Sequence, residues 1–73
     1  MPKLPRVSGA ETRRALERLG FAFVRQRGSH MILRRGGAGC VVPDHRELKA
    51  GTLVGVLKQA GVGTEEFIAA LRV

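Results

Sequence analysis

The spacing of apolar residues predicts a helix near the N-terminus. Four residues recur at positions i, i+3, i+4 and i+7, which places them on one helix face: Thr12, Ala15, Leu16 and Leu19. Ser8 and Glu11 have the spacing of a capping box, in which each side chain satisfies the other residue's backbone N–H. Gly20 supplies the left-handed residue that commonly ends a helix. An extended arm, residues 1–7, is predicted to precede this helix.

The middle of the chain predicts a three-stranded antiparallel meander. Residues 21–27 are rich in the aromatic and β-branched types that favour strands. Gly28-Ser29 forms a tight turn, and residues 30–35 are the second strand of a hairpin. Residues 36–39, Gly-Gly-Ala-Gly, predict a flexible loop before a short third strand over residues 40–43.

Helical spacing returns in the last third of the chain. After a polar connector over residues 44–49, Gly51 begins a helix that Gly61 ends, and its apolar face consists of Leu53, Val56, Leu57 and Ala60. Thr64 is the predicted N-cap of a short last helix, whose first turn holds two glutamates that the helix dipole favours. The predicted fold is therefore α+β, in the order helix, three strands and two helices, with one sheet face covered and the other open.

Length and cysteine content bound the class of protein. The 73 residues are predicted to form one domain, residues 1–73, of modest stability, because a chain of this size buries only about 60 % of its unfolded surface. Cys40 is the only cysteine, which excludes an internal disulfide and suits a reducing cytosol. There is no charged-then-apolar leader and no long apolar run. We therefore expect a cytoplasmic protein without signal peptide or membrane span.

The net charge of +7 is confined to the first part of the chain. Residues 1–43 hold nine Lys or Arg against two acids, whereas residues 44–73 hold four of each. A basic half of this kind is the electrostatic footprint expected for a polyanion partner. An acidic protein or an anionic membrane surface would also attract it. The membrane is the weaker alternative, because no segment pairs the basic cluster with a large apolar helix face.

The basic residues cluster around the predicted hairpin. Four arginines flank the Gly28-Ser29 turn, which opens onto His30: Arg25, Arg27, Arg34 and Arg35. Histidine exchanges protons near neutral pH, and arginines bind phosphate. Gly28 would allow close approach of the backbone to a ligand, and the Ser29 hydroxyl could bind a phosphate oxygen. The working hypothesis is that His30 performs acid–base chemistry on RNA held by these residues.

Other kinds of site find little support in the sequence. One cysteine and two histidines fifteen residues apart do not make a zinc site, which normally needs three or four protein ligands. The only adjacent acidic pair, Glu65-Glu66, is explained by its helix start, which argues against a two-metal nuclease. The glycines of residues 36–39 lack the Lys-Ser/Thr of a phosphate-binding loop. His30 and His45 remain as chemical groups, and an isolated strand histidine is also compatible with a structural role.

Three ordered motifs resemble the HicA family of toxins, small mRNA interferases of bacterial and archaeal toxin–antitoxin pairs. They are Arg-Gly-Ser-His at residues 27–30, Val-Pro-Asp-His at 42–45 and Glu-Leu-Lys-Ala-Gly-Thr-Leu at 47–53. Gln-Ala-Gly-Val at 59–62 and Glu-Glu-Phe at 65–67 are similar to the C-terminal end of the family. The ordered set is more specific than any one motif alone.

The resemblance implies a fold and a function. The fold is similar to a double-stranded-RNA-binding domain, with a helix, three strands and a helix. The implied activity is metal-independent RNA cleavage without a cofactor, with His30 as the catalytic residue. The implied partners are mRNA and a neutralising antitoxin of the HicB type.

The sequence departs from the family at one position and leaves several roles open. Many members carry a second histidine directly after the first, and Met31 in that place removes a possible second proton donor. His45 either anchors the connector or serves as a second acid–base group. Phe21 and Phe23 are either stacking platforms for bases or core residues. A non-catalytic RNA-binding module and a protein-interaction domain are the alternatives to a ribonuclease.

Overall fold

The computed structural model describes residues 4–73, and its elements follow the predicted order. They are α1 (Gly9–Arg18), β1 (Ala22–Arg27), β2 (His30–Arg35), β3 (Ala38–Pro43), α2 (Ala50–Ala60) and α3 (Thr64–Leu71). Residues 1–3, which begin the predicted arm, lie outside the described residues, and residues 4–8 have no regular secondary structure. The strands pair antiparallel in the order β1-β2-β3, which confirms the predicted α+β fold.

The predicted capping box begins α1. The Ser8 hydroxyl accepts a hydrogen bond of 3.0 Å from the Glu11 N–H, and the Glu11 carboxylate accepts one of 2.9 Å from the Ser8 N–H. The bond from the Ser8 backbone and then the bond involving its side chain lower the pKa of Glu11. The charged carboxylate therefore stabilises the helix above the pKa that it has in the unfolded chain. This contribution is lost as the pH falls through the lowered pKa.

The turn between β2 and β3 is shorter than predicted. Arg35 pairs directly with Ala38, so Gly36-Gly37 alone makes the turn and Gly39 lies inside β3. Gly36 has a φ of +58°, as the first central position of a type II′ turn requires. The prediction of a loop over residues 36–39 is wrong because glycines carry no side chains that would reveal the alternation of a strand.

The two C-terminal helices begin one residue earlier than predicted. The first residue of α2 is Ala50 rather than Gly51, and its N-cap is Lys49. The N-cap of α3 is Gly63 rather than Thr64. Neither N-cap makes a side-chain hydrogen bond, so the usual sequence signal for a helix start is missing. Gly61, with a φ of +70°, ends α2 as predicted.

A β-bulge in β1 changes which residues face the helices. Phe23 pairs with Leu33 and Arg25 pairs with Ile32, so Val24 is an extra residue in the ladder. Without it, Phe23 and Arg25 would point to the same face, because strand side chains alternate with a period of two. The bulge lets Phe23 pack against the core while Arg25 lies on the opposite face.

The core lies between one face of the sheet and the helices. Its largest fully buried apolar side chains come from β2, β3 and all three helices: Leu16, Leu33, Val42, Leu53 and Phe67. Arg18 fastens α3 to α1, since its guanidinium donates a 2.9 Å hydrogen bond to the Ala70 carbonyl. Cys40 also lies in the core, where burial raises the pKa of its thiol and disfavours the reactive thiolate.

Helix α1 begins in close contact with the connector that follows β3. The Gly9 N–H donates a 2.8 Å hydrogen bond to the carbonyl of His45. A Cβ atom at residue 9 would overlap the carbonyl oxygen of Pro43 and would lie 3.0 Å from the Asp44 Cα. Glycine at this position therefore allows the connector to run against the helix start.

We expect Gly9→Ala to lower the free energy of unfolding by about 1–3 kcal/mol, because the added methyl group must displace the backbone of Pro43. Urea unfolding followed by circular dichroism measures the change. The matched control is Gly55→Ala inside α2, where the new Cβ meets nothing within 4 Å. That variant should gain about 0.5–1 kcal/mol from helix propensity. Equal stability of Gly9→Ala and wild type would contradict the close contact.

Candidate nucleic-acid interface

The helices cover one face of the sheet and leave the other exposed. Along β2, Met31 and Leu33 are buried, whereas His30 and Arg34 are exposed, which is the alternation of a strand with one solvated face. Strand pairing assigns the residues of the solvated face, which we call the open face: Ala22, Arg25, Arg27, His30, Ile32, Arg34, Gly39, Val41 and Pro43. The open face therefore contains the predicted histidine and three of the four predicted arginines.

His30 is the first residue of β2 and lies directly after the hairpin turn. It pairs with Arg27 on one side and with Pro43 on the other. Directly opposed strand residues have Cβ atoms about 4.5–5.5 Å apart, so Arg27 and Pro43 are the nearest open-face neighbours of the imidazole. Because the His30 side chain is exposed, it is accessible to a ligand lying on the sheet.

The open face carries positive charge without acidic residues. The acids of the chain all lie outside the strands: Glu11, Glu17, Asp44, Glu47, Glu65 and Glu66. Within residues 4–73 the only ion pair joins Arg13 to Glu17 at 3.5 Å. Arg25, Arg27 and Arg34 thus face solvent with no carboxylate of the described chain bound to them. This arrangement attracts anions over the whole face.

Arg35 is separated from the other three arginines. It follows Arg34 on β2 and so points to the helix-covered face. Its guanidinium donates a 2.7 Å hydrogen bond to the Leu19 carbonyl and lies 4.6 Å from the centre of the Phe21 ring. These contacts give Arg35 a structural task between the end of α1 and the sheet, away from the open face.

The Gly28-Ser29 turn joins β1 to β2 and is exposed to solvent. Gly28 has a φ of +58°, and Ser29 has no positive φ, the pattern of a type II′ turn with glycine first. A Cβ atom at residue 28 would meet nothing within 4 Å. Both residues are exposed, so a ligand can approach the turn beside His30 without displacing protein atoms.

His45 lies on the connector, near the end of the sheet that carries His30. Its carbonyl, rather than its imidazole, anchors the connector to Gly9. The exposed side chain borders a cleft of about 290 Å³ that Pro43, the strand neighbour of His30, also lines. The backbone of His45 is thus structural, and its imidazole is accessible.

Residue 31 cannot supply a proton donor to the open face. Met31 is 3 % exposed and packs in the core, because it alternates with His30 along β2. The structure thus places Met31 on the helix-covered face, and the expected loss of a second proton donor at this position stays a prediction.

None of the three aromatic side chains lies on the open face. Phe21 and Phe67 are buried, at 3 % and 0 % exposure, and Phe23 is half-buried beneath Arg13, whose guanidinium carbon lies 3.8 Å from the ring centre. The core interpretation of Phe21 and Phe23 is confirmed. Contact with RNA on this face would rest on charge and on the small apolar strip of Ile32 and Val41, which the sequence did not single out.

Residues 4–73 bring together no group of three or more His, Cys, Asp or Glu side chains that could hold a metal ion. No helix in that part of the chain has the length and hydropathy needed to cross a bilayer. The described residues thus define a small α+β protein with a cationic sheet face and an accessible histidine.

A comparison with protein families matches residues 9–62 to the family described as the HicA toxin of bacterial toxin-antitoxin systems. The match covers more than half of the chain and extends from the first residue of α1 to just beyond α2. The chain belongs to the HicA toxin family, which confirms the resemblance. Its class of protein is therefore the toxin of a toxin–antitoxin pair. Among curated proteins, none matches this sequence.

Arg34→Ala and Arg35→Ala should differ in stability although the two residues are adjacent. Loss of Arg35 removes a charged hydrogen bond and a cation–π contact, so we expect it to cost about 1–2 kcal/mol. Loss of the solvated Arg34 should change the free energy of unfolding by less than about 0.5 kcal/mol. Urea unfolding of the two variants measures this difference, and equal effects would refute the assignment of Arg35 to the helix-covered face.

Proposed function

We propose that this HicA-family toxin is an endoribonuclease, an mRNA interferase that cleaves RNA with His30 as its catalytic acid–base residue. The observation that carries the proposal is an exposed imidazole at the end of a hairpin, directly opposite Arg27 on a sheet face without acids. A polyanion attracted to that face would lie against the imidazole. The cytoplasm, where mRNA is present, is the proposed location.

RNA brings its own nucleophile to this reaction. The 2′-hydroxyl oxygen attacks the adjacent phosphorus, the bond from phosphorus to the 5′-oxygen breaks, and the products end in a 2′,3′-cyclic phosphate and a 5′-hydroxyl. One proton leaves the 2′-oxygen and one is added to the 5′-oxygen. His30 transfers one of these protons, and His45 or a water molecule transfers the other. Such proton transfer contributes typically about 10²- to 10⁴-fold to a rate.

The arginines supply the electrostatic part of the proposed mechanism. Negative charge accumulates on the phosphoryl oxygens as the 2′-oxygen attacks, and fixed cations stabilise that charge. Arg27 opposes His30 directly, and Arg25 is diagonal to it across the same pair of strands. Arg34 is four residues further along β2, about 13 Å away, and suits a more distant phosphate of the same strand. Gly28 and Ser29 line the approach to the phosphate.

The partner antitoxin is proposed to be of the HicB type and to act by covering the open face. An acidic surface would be steered towards Arg25, Arg27 and Arg34, and Ile32 with Val41 would add apolar burial. Such a complex would exclude RNA from His30 without altering the fold of the toxin.

The central test is cleavage of mRNA by the purified protein in EDTA. We expect His30→Ala to reduce the rate by at least about 100-fold, because the proton transfer is lost, while its urea unfolding stays like that of wild type. His45→Ala reports separately whether the second imidazole takes part. Full cleavage by His30→Ala would refute the catalytic role. RNA that is bound but recovered intact from wild type would favour a non-catalytic RNA-binding module.

The salt dependence of binding tests the proposed interface apart from catalysis. With a 2′-O-methyl RNA that cannot be cleaved, Arg25→Ala and Arg27→Ala should each reduce the slope of log affinity against log salt by about 0.7. Arg35→Ala is the matched control and should leave the slope unchanged, since its guanidinium is bound to the Leu19 carbonyl. Equal slopes for all three variants and wild type would contradict binding on the open face.

A further inference from the structure

We infer that Gln26 and Asp44 are positioning residues for His30, an inference that rests on the proposed ribonuclease function. Neither side chain belongs to the open face. Gln26 lies on the helix-covered side of β1, opposite Met31, and Asp44 is the first residue after β3. Together they bind the hairpin turn from the side opposite the open face.

Of three hydrogen bonds, two connect these residues to the turn and one joins them to each other. The Gln26 amide nitrogen donates one of 2.9 Å to the Gly28 carbonyl and another of 3.2 Å to the Asp44 carboxylate. The Asp44 N–H donates a third, of 2.6 Å, to the Ser29 carbonyl. Both hydrogens of the Gln26 amide group are thereby used, and the end of β3 is tied to the turn of the neighbouring hairpin.

These bonds fix the two peptide groups that lead into His30. The Gly28 carbonyl belongs to the peptide plane between residues 28 and 29, and the Ser29 carbonyl belongs to the plane between residues 29 and 30. Because peptide groups are planar, holding both carbonyls fixes the torsion angles of Ser29 between them. The second plane fixes the N–Cα bond of His30. Because strand pairing with Arg27 and Pro43 sets the rest of the His30 backbone, the direction of its Cα–Cβ bond is then determined.

The two hydrogen bonds of the Gln26 side chain are exposed, so they add little to the free energy of unfolding. Their main effect is on the geometry of the turn. Strand pairing holds the two ends of the turn, but a Cβ atom at Gly28 would meet nothing within 4 Å, so no side-chain packing holds its tip. Positional errors of about 1 Å in a reacting group can reduce a rate by about 100-fold. The Gln26–Asp44 pair therefore supplies the rigidity that packing does not.

The test compares two glutamines that each bind backbone atoms through an exposed side chain. Gln26→Ala should lower kcat for RNA cleavage roughly 10- to 100-fold, with affinity for 2′-O-methyl RNA unchanged. Gln59→Ala is the matched control, since the Gln59 side chain accepts a 3.1 Å hydrogen bond from the Val41 N–H away from the turn. It should leave kcat unchanged. Equal kcat values for Gln26→Ala and wild type would overturn the inference.

Substitutions of Asp44 distinguish positioning from a direct effect of its charge. Asp44→Asn keeps an oxygen that accepts from Gln26, so its kcat and pH profile should match those of wild type. Asp44→Ala should lower kcat by less than Gln26→Ala does, and the double variant should match Gln26→Ala, because Gln26→Ala removes the contact with Asp44 as well as the bond to the Gly28 carbonyl. Loss of activity in Asp44→Asn equal to that in Asp44→Ala would overturn the inference in favour of a charge effect.

A measurement without RNA separates this inference from the proposed function. In Gln26→Ala, the Asp44 amide should exchange with solvent faster and the His30 side-chain couplings should average over rotamers in NMR spectra, while Gln59→Ala leaves both unchanged. Unchanged exchange and couplings in Gln26→Ala would overturn the positioning role whatever the activity. Inactive wild-type protein with the expected NMR changes would instead refute the ribonuclease proposal and leave the hydrogen-bonded turn standing.

Discussion

The burial of one sheet face against α1 and α2 is the constraint on which the rest of this structure depends. Strand side chains alternate, so every residue that β2 contributes to the core has an exposed neighbour. A shift of one residue in register would expose Met31 and Leu33 and would bury His30 and Arg34. The strand register that packs the core is therefore also the register that exposes His30.

The bulge at Val24 resolves a conflict within β1. The strand must supply Phe23 to the core and, two residues later, Arg25 to solvent, which a regular strand cannot do. One extra residue makes both placements possible. The result is an aromatic-free open face, where affinity for RNA would depend on charge rather than on stacking. Such binding tolerates many base sequences, because phosphates are the same in all of them.

Local signals in the sequence were sufficient for most of the fold. The Ser8–Glu11 capping box and the alternation of β2 each depend on residues close in sequence, and both are present as expected. The tasks of Arg35 and of the Gln26–Asp44 pair depend on contacts between residues sixteen and eighteen positions apart. Those contacts follow from register and helix placement, which residue types alone do not encode. Because these contacts are not encoded locally, the sequence alone groups Arg35 with the three arginines of the open face.

Helix α3 shows that the boundary of a sequence family need not be the boundary of a folding unit. The family match ends at residue 62, yet Phe67 is fully buried and the Ala70 carbonyl binds Arg18 of α1. Removing a buried phenylalanine alone costs about 3–5 kcal/mol. The core of a domain this small rarely supplies more than about 3–5 kcal/mol in total. A chain cut to the matched residues 9–62 would therefore keep its hairpin motif and lose the stability needed to hold it folded.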